Sequence, residues 1–211
     1  MTGPLASVMR YKMEYLNHPE GLSLWTQTPS GERLRLRPLQ ATGAGLRARD
    51  LELLTEWRNR YRPFFLTDFT ATVEQTQAWL LKSGADPSRI LFMIEREGGS
   101  PFGHAGLCNL RPADAYAELD NVVRGADGPR GAMTAAVTTL CDWAVSSLGV
   151  TALWVRVMSD NPAVSFYEKV GFRRAYDVAL EFHRDGSKGI WMERPDRQIA
   201  DRYLRYMERA A

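Results

Sequence analysis

Residues 119–133 constrain the fold more than any other part of the sequence. The stretch starts with a run that ends in Val122-Val123, and this β-branched pair predicts the end of a strand. A loop with three glycines follows, Gly125, Gly128 and Gly131. Residues 133–147 contain neither Gly nor Pro, which predicts a helix. The first amides of a helix lack intrahelical partners and carry partial positive charge. This order therefore predicts an anion-binding loop, with an ordinary glycine-rich turn as the alternative.

Composition limits the class of protein and its partners. The length of 211 residues fits one domain, or one domain with a terminal extension. The net charge of +2 is too small to indicate a nucleic-acid partner, and no apolar run reaches the length of a membrane span. The two cysteines, Cys108 and Cys141, have neither zinc-site nor disulfide spacing. We therefore predict a cytoplasmic protein with no metal and with neither nucleic acid nor membrane as partner.

Hydrophobic periodicity and turn residues predict the order β-α-α-β-β-β-α-β-α-β-β, followed by a tail helix. The predicted strands are 32–38, 90–94, 102–110, 116–123, 152–157, 172–182 and 189–193, and the predicted helices are 51–59, 72–84, 133–147, 163–169 and 198–209. This order indicates an α/β (α+β) fold, with a mixed, mostly antiparallel central sheet of about seven strands and helices on both faces. We assign residues 1–30 to an N-terminal extension, 31–195 to the main domain and 196–211 to a C-terminal helix.

A second motif lies after the strand that follows the 133–147 helix. It reads Asn161-Pro162-Ala163-Val164-Ser165-Phe166-Tyr167-Glu168-Lys169-Val170-Gly171-Phe172. Together with the order of elements, it resembles the GNAT family of acetyltransferases over roughly residues 32–193. The resemblance implies the GNAT fold, acetyl-CoA as the donor and no metal. It places the CoA pyrophosphate on the loop 125–133 and the pantetheine in a gap between the strands 116–123 and 152–158, where a β-bulge commonly opens the sheet.

The loop matches the family pattern in part. Gly131 stands at the central glycine, whereas the flanking positions differ, and Gly131-Ala132-Met133-Thr134 resembles the ribosomal-protein N-terminal acetyltransferase branch. The resemblance implies that the cofactor-binding residues are Val122, Val123, Arg124, Gly128, Arg130, Gly131, Ala132, Met133, Thr134, Asn161, Phe166 and Tyr167.

Transfer of an acetyl group from a thioester to an amine needs a neutral amine, a donor to the developing oxyanion and a proton for the leaving thiolate. The resemblance gives Tyr167 the role of the acid, and the alternative is a packed tyrosine under the sheet edge. A backbone amide near Val122 or Val123 is the expected oxyanion donor. Glu118 and His104 are the candidate bases. The alternatives are an ion-paired or ammonium-binding carboxylate for Glu118 and a hydrogen-bonded sheet histidine for His104.

A second resemblance concerns the acceptor. Residues 54–59 (Leu-Thr-Glu-Trp-Arg-Asn) and 72–80 are similar to sugar-nucleotide amine acetyltransferases of the pseudaminic-acid pathway type, with Gln77 where those proteins tend to have His. Arg58, Asn59 and Arg62 could bind an anionic acceptor such as a nucleotide diphosphate, or they could be surface charges. The candidate substrate-binding residues are Trp57, Arg58, Asn59, Arg62, Phe65, Asn109 and Asp120, although the pattern favours the core for Trp57 over a stacking surface.

The function predicted from the sequence is acetyl-CoA-dependent N-acetyl transfer to a primary amine, and the favoured acceptor is an aminosugar nucleotide. The alternatives are a protein N-terminus, a small-molecule amine such as an aminoglycoside, and a non-catalytic acyl-CoA-binding module. The predicted partner is a small-molecule amine, and a homodimer is the expected assembly.

Overall fold

The computed structural model describes residues 3–39 and 46–210, which contain ten strands in one sheet and five α-helices. The strands are β1 Leu24–Gln27, β2 Arg33–Pro38, β3 Thr67–Asp68, β4 Ile90–Arg96, β5 Pro101–Arg111, β6 Tyr116–Arg124, β7 Ala152–Met158, β8 Arg173–Asp185, β9 Lys188–Glu193 and β10 Arg202–Ala210. The helices are α1 Pro4–Glu14, α2 Ala48–Arg60, α3 Val73–Ala85, α4 Ala132–Leu148 and α5 Val164–Lys169.

The strands lie in the order β1-β2-β4-β5-β6-β7-β10-β8-β9-β3. Only the β6–β7 pair is parallel among the described strands; every other neighbouring pair is antiparallel. The predicted mixed, mostly antiparallel sheet is therefore confirmed, with more strands than the seven expected. The additional strands are β1, β3 and β10, and the first two are too short, at four and two residues, to show a clear alternation.

Helices cover both faces of the sheet, as predicted. Strand β4 shows how the core is divided, because Phe92 belongs to the cluster that includes α4, whereas Met93 belongs to the cluster that includes α2. Successive side chains of a strand point to opposite faces, so a strand buried on both sides reads as a continuous apolar run. Residues 90–94 form such a run, and all five are buried.

The start of α2 differs from the expectation. The helix predicted over 51–59 begins three residues earlier, at Ala48, with Arg47 at the cap position. Asp50 lies buried in the first turn, where its carboxylate accepts two hydrogen bonds from Arg37 at 2.9 and 3.0 Å. Helix α3 begins as predicted, with a capping box in which Thr72 and Gln75 exchange hydrogen bonds.

The predicted C-terminal helix is wrong, because Arg202–Ala210 forms strand β10 between β7 and β8. The apolar spacing explains the error. Leu204 and Met207 are three residues apart, which suits one face of a helix, yet they lie in clusters on opposite faces of the sheet. A strand that is covered on both faces satisfies this spacing equally well. Pairing of residues 202–210 with β7 and β8 favours the strand over the helix.

The residues before β2 pack against the same core. Helix α1 contributes Val8 to the cluster that includes α4, and β1 pairs with β2. The ammonium of Lys12 donates to the carbonyls of Ser83, Gly84 and Asp86 at 2.9, 3.2 and 2.6 Å, so it caps the end of α3. None of the helices in the described residues has the length and apolarity that a membrane span needs.

Candidate active site

A gap opens in the sheet where β6 and β7 part. The two strands pair from Tyr116 and Ala152 to Leu119 and Val155, and the pairing then stops. On the other side of β6, the register to β5 shifts between the pairs Gly106–Asp120 and His104–Val123, so two residues oppose one. Asn121, in this bulge, has φ of 50°. The bulge and the separation of the strands confirm the predicted gap, and they leave Asn121 and Val122 without a partner strand on either side.

A cavity of about 1380 Å³ lies at this gap. Its wall has three parts. The glycine-loop half consists of the lining residues within 121–134 and 161–167, the aromatic half consists of those within 54–79, and the sheet floor comes from β5, β6, β7 and β10, with Arg89 preceding β4. All three candidate catalytic residues and all twelve residues predicted to bind the cofactor line this one cavity.

The glycine-loop half ends at the N-terminus of α4. Gly131 occupies the N-cap position with φ of 78°, a left-handed conformation that favours glycine, and no side chain caps the helix. The amide of Ala132 donates to Pro129, but Met133 and Thr134, in the first turn, have no intrahelical acceptor available. Arg124 and Arg130 line the same end. These groups fit an anion such as a diphosphate.

The other two loop glycines have a packing role. A Cβ atom on Gly125 would lie 1.9 Å from the ring of Trp57, and one on Gly128 would lie 2.6 Å from the ring of Phe102. Close approach to these rings already requires glycine at both positions. Ring contacts thus account for glycine at these two positions, and Gly131 is the one of the three whose backbone conformation forms the helix cap.

Tyr167 lies in α5 and is 6% exposed. Burial, reinforced by the charge of Asp120, raises the pKa of its phenol, so the hydroxyl is protonated at neutral pH and can act as a donor. Asn161, which precedes α5, accepts a hydrogen bond from the amide of Ala163 at 2.9 Å. Its side-chain NH₂ lies on the cavity wall and can still donate.

Glu118 is an ion-paired carboxylate. One oxygen accepts hydrogen bonds from Asn109 and from the hydroxyl of Tyr116, both at 2.8 Å, and the other accepts from Arg156 at 2.8 Å. The ion-pair alternative is thus the geometry that the structure has. To accept a proton from an amine, Glu118 would first have to give up one of these bonds.

His104 is 4% exposed and stacks on Trp57, with 5.9 Å between the ring centroids. Burial lowers the pKa of its imidazole to about 4, and a hydrogen bond to the backbone of Asn121 offsets part of this shift. The imidazole is therefore neutral at neutral pH. Its Nδ1 is buried and has no hydrogen-bond partner in the described part of the chain. A neutral ring with an open nitrogen on the cavity wall can exchange a hydrogen bond or a proton with a bound molecule.

The candidate substrate-binding residues separate into two groups. Arg58, Phe65 and Asp120 line the cavity, whereas Trp57, Asn59, Arg62 and Asn109 do not. Trp57 is only 1% exposed, and both the backbone amide and carbonyl of Ala71 bond to the side chain of Asn59. Arg62 pairs with Asp68 at 2.8 Å, and Asn109 supports Glu118. The structure therefore places these four candidates off the cavity wall: neighbours in the protein hold Trp57 and Asn59, whereas Arg62 and Asn109 are exposed.

Sequence reasoning missed Arg156 and Arg89, which also line the cavity. Arg156 had a detectable signal, because it is the single charge in the otherwise apolar run 152–158. Such a charge in a buried strand requires a partner, which here is Glu118. Arg89 sits in a turn of mixed polar residues and had no comparable signal. No cluster of His, Cys, Asp and Glu among the described residues is arranged to hold a metal.

Comparisons with known proteins agree with this geometry. The model of the acetyltransferase (GNAT) domain family matches residues 33–173. The spermidine N-acetyltransferase from Vibrio cholerae in complex with CoA and spermine is 17% identical, with 84% of this chain and 95% of that chain covered and a TM-score of 0.65. The dodecameric structure of the same enzyme in an intermediate state is 18% identical, covers 84% and 93%, and has a TM-score of 0.60. No curated protein matches the sequence.

At this level of identity the structural matches support the fold, while the family match covers two-thirds of the chain and supports the activity. GNAT acetyltransferases take the acetyl group from acetyl-CoA, so the chain is an acyltransferase rather than a module without catalysis. The open sheet, the uncapped α4 N-terminus and the family match lead to one conclusion: this protein belongs to the GNAT family of acetyl-CoA-dependent N-acetyltransferases.

Proposed function

We propose that the protein acetylates a primary amine of a small molecule by direct transfer, and that the acceptor class is an aminosugar nucleotide. The observation that carries this proposal is the single cavity at the β6–β7 gap, whose wall joins the glycine-loop half to the aromatic half. One cavity that admits both substrates allows the amine to meet the thioester without a covalent enzyme intermediate. Approximation of this kind can lower a barrier by roughly 7–11 kcal/mol.

In this proposal the glycine-loop half holds the donor. The amides of Gly131, Met133 and Thr134 would bind the diphosphate, with Arg124 and Arg130 as flanking charges. The unpaired backbone at Asn121 and Val122 would bond to the pantetheine amides, with help from the side chain of Asn161. The remaining cofactor candidates, Val123, Gly128, Ala132 and Phe166, would shape the wall.

The chemistry follows from three groups. The amine nitrogen attacks the thioester carbon, and the backbone amide of Val122 donates to the oxygen that becomes negative. As the carbon–sulfur bond breaks, Tyr167 gives its proton to the sulfur, and the phenolate recovers a proton from solvent. His104 accepts the proton that the nitrogen loses, because an amine bonded to the reacting carbon is far more acidic than the free ammonium. Asp120 would orient the amine, and the Glu118–Arg156 pair would hold the floor beneath it.

The aromatic half supports the acceptor class. Phe64, Phe65, Phe69 and Trp79 line it, and flat rings provide stacking surfaces for a base or a sugar. Two further expectations stay predictions: the buried free cysteines Cys108 and Cys141 support a cytoplasmic setting, and a homodimer is the expected assembly.

An amine panel tests the proposal. Release of free CoA thiol is measured with acetyl-CoA and, in parallel, an aminosugar nucleotide, spermidine, an aminoglycoside and a peptide with a free N-terminus. We expect the highest kcat/KM for the aminosugar nucleotide. A clear preference for spermidine or for the peptide would refute the proposed acceptor class and leave the acetyl transfer standing.

A further inference from the structure

The aromatic half and the sheet floor contain one arginine that makes no salt bridge within the described residues. Arg156 lies 2.8 Å from Glu118, and Arg89 lies 3.8 Å from Asp120, so these two arginines and two carboxylates cancel in pairs. Arg58, on the same cavity wall, makes no salt bridge within the described residues; the charge of Asp68 acts on it, but Asp68 pairs with Arg62 at 2.8 Å. Arg156 also pairs with Glu193, which does not line the cavity, at 3.4 Å. Among the charged side chains that line the aromatic half and the sheet floor, Arg58 is therefore the one without a salt bridge.

The guanidinium of Arg58 is held in place and has one open position. Its Nη2 donates to the carbonyl and the hydroxyl of Thr67, at 2.5 and 3.1 Å. The rings of Phe65 and Phe69 lie 4.3 and 4.8 Å from its central carbon and restrict it further. By contrast, its Nη1 is buried and has no hydrogen-bond partner in the part of the chain that the structure describes.

An unpartnered buried donor on a charged group destabilises the empty site, and an anionic ligand removes this cost. Burial lowers the pKa of Arg58, but an arginine keeps its charge at neutral pH. Planar N–H groups of a guanidinium match the oxygens of a phosphate or a carboxylate. Arg58 therefore suits a negatively charged group and not an amine. The group that it binds must be a different part of the acceptor from the amine that is acetylated.

We propose that Arg58 selects an acceptor that carries an oxyanion, a phosphate or a carboxylate, in addition to its amine. The inference rests on the proposed acetyl transfer and assigns the recognition of the acceptor's negative charge to one side chain. It also separates this protein from its structural neighbours, because a polyamine brings further positive charge to a site that already has one unpaired cation.

Matched acceptor pairs test the inference on the wild-type protein. Glucosamine and glucosamine 6-phosphate differ by a phosphate, and tyramine and tyrosine differ by a carboxylate; the two pairs tell the two sources of the oxyanion apart. We expect kcat/KM to be at least about 10-fold higher for the anionic member of one pair, mainly through a lower KM. Equal values within both pairs, or a preference for spermidine over every anionic amine, would overturn it.

The variant Arg58→Gln removes the charge and keeps a side chain that can bond to Thr67. We expect the advantage of the anionic acceptor, which is the ratio of the two kcat/KM values within a pair, to fall by about 10- to 100-fold. Arg58→Lys, which keeps the charge but not the planar fork, should retain part of the advantage. Arg49→Gln is the matched control, since Arg49 is an exposed arginine at the opposite end of the same helix.

Two results separate this inference from the proposed function. If the wild-type protein acetylates amines but Arg58→Gln slows both members of each pair equally, Arg58 is a structural residue and the inference is wrong, while acetyl transfer stands. If acetyl-CoA gives no thermal shift and no amine releases thiol, the proposed function fails and the inference fails with it.

Discussion

The two halves of the cavity are built from different parts of the chain. The glycine-loop half presents backbone groups: the unpaired peptides at Asn121 and Val122 and the free amides of the first turn of α4. The aromatic half presents side chains, among them a guanidinium between two phenyl rings. Backbone donors do not depend on residue identity, whereas the aromatic half changes with every substitution. Substitutions in the aromatic half can therefore change the acceptor while the backbone groups that bind the donor stay the same.

Tyr167→Phe should have the largest effect, because it removes a proton donor and leaves the backbone groups intact. We expect kcat to fall by about 10²- to 10³-fold, a typical contribution of a general acid. The dissociation constant of acetyl-CoA, measured by calorimetry, should change by less than about 3-fold. Loss of acetyl-CoA binding would show that Tyr167 belongs to the wall that holds the donor, and an unchanged kcat would remove it from the mechanism.

His104 should make stability depend on pH. The pKa of this imidazole is about 4 in the folded protein and 6.5 in the reference state, so the unfolded chain binds more protons between these values. Stability is fully present above about pH 6.5 and falls as the pH drops towards 4, by about 3 kcal/mol in total. Denaturant unfolding of His104→Gln, compared with wild type at pH 7 and pH 4.5, should show a smaller loss in the variant. Parallel losses would contradict the buried neutral imidazole.

Gly128→Ala tests the glycine-loop half alone. The new Cβ would press on the ring of Phe102, so the loop has to shift, and overpacking of this kind costs about 1–3 kcal/mol. We expect weaker acetyl-CoA binding and a lower melting temperature, while the ratio of kcat/KM between two acceptors stays the same. Gly98→Ala, at a position with open space around it, is the matched control. A changed acceptor ratio would show that the halves are coupled.

Lys12→Met should have the smallest effect and should be confined to stability. Burial lowers the pKa of Lys12 to about 8 from the ordinary 10.5, so between these values the unfolded chain binds more protons and wild-type stability rises with pH. This rise should be absent in the variant. Lys12 holds the end of α3, and the first turns of this helix line the aromatic half. Because the donor binds in the glycine-loop half, the variant should keep its acetyl-CoA affinity. A change in donor affinity would contradict the division between the halves.

Sequence reasoning worked best where the fold repeats a local pattern. The β6–loop–α4 unit could be predicted because strand ends, glycines and helix starts are local signals, and the family resemblance implied the bulge. The residues expected around the donor line one cavity, and their role stays a prediction. The acceptor side was only partly predictable. The helical pattern favours the core for Trp57, but it does not show that Asn59 bonds to the backbone of Ala71, because such a contact depends on another part of the chain. Strand β10 was missed for the same reason, since its partners β7 and β8 decide its conformation.

The position of β10 has a consequence for how the protein is made. Strands β7 and β8 follow each other along the chain but meet only through β10, so the sheet consists of two separate blocks until residues 202–210 have emerged from the ribosome. Until then β7, one edge of the catalytic gap, is unsupported on its outer side. A nascent chain stalled before residue 202 therefore exposes two open strand edges, and the active site is complete only after residues 202–210 have been made.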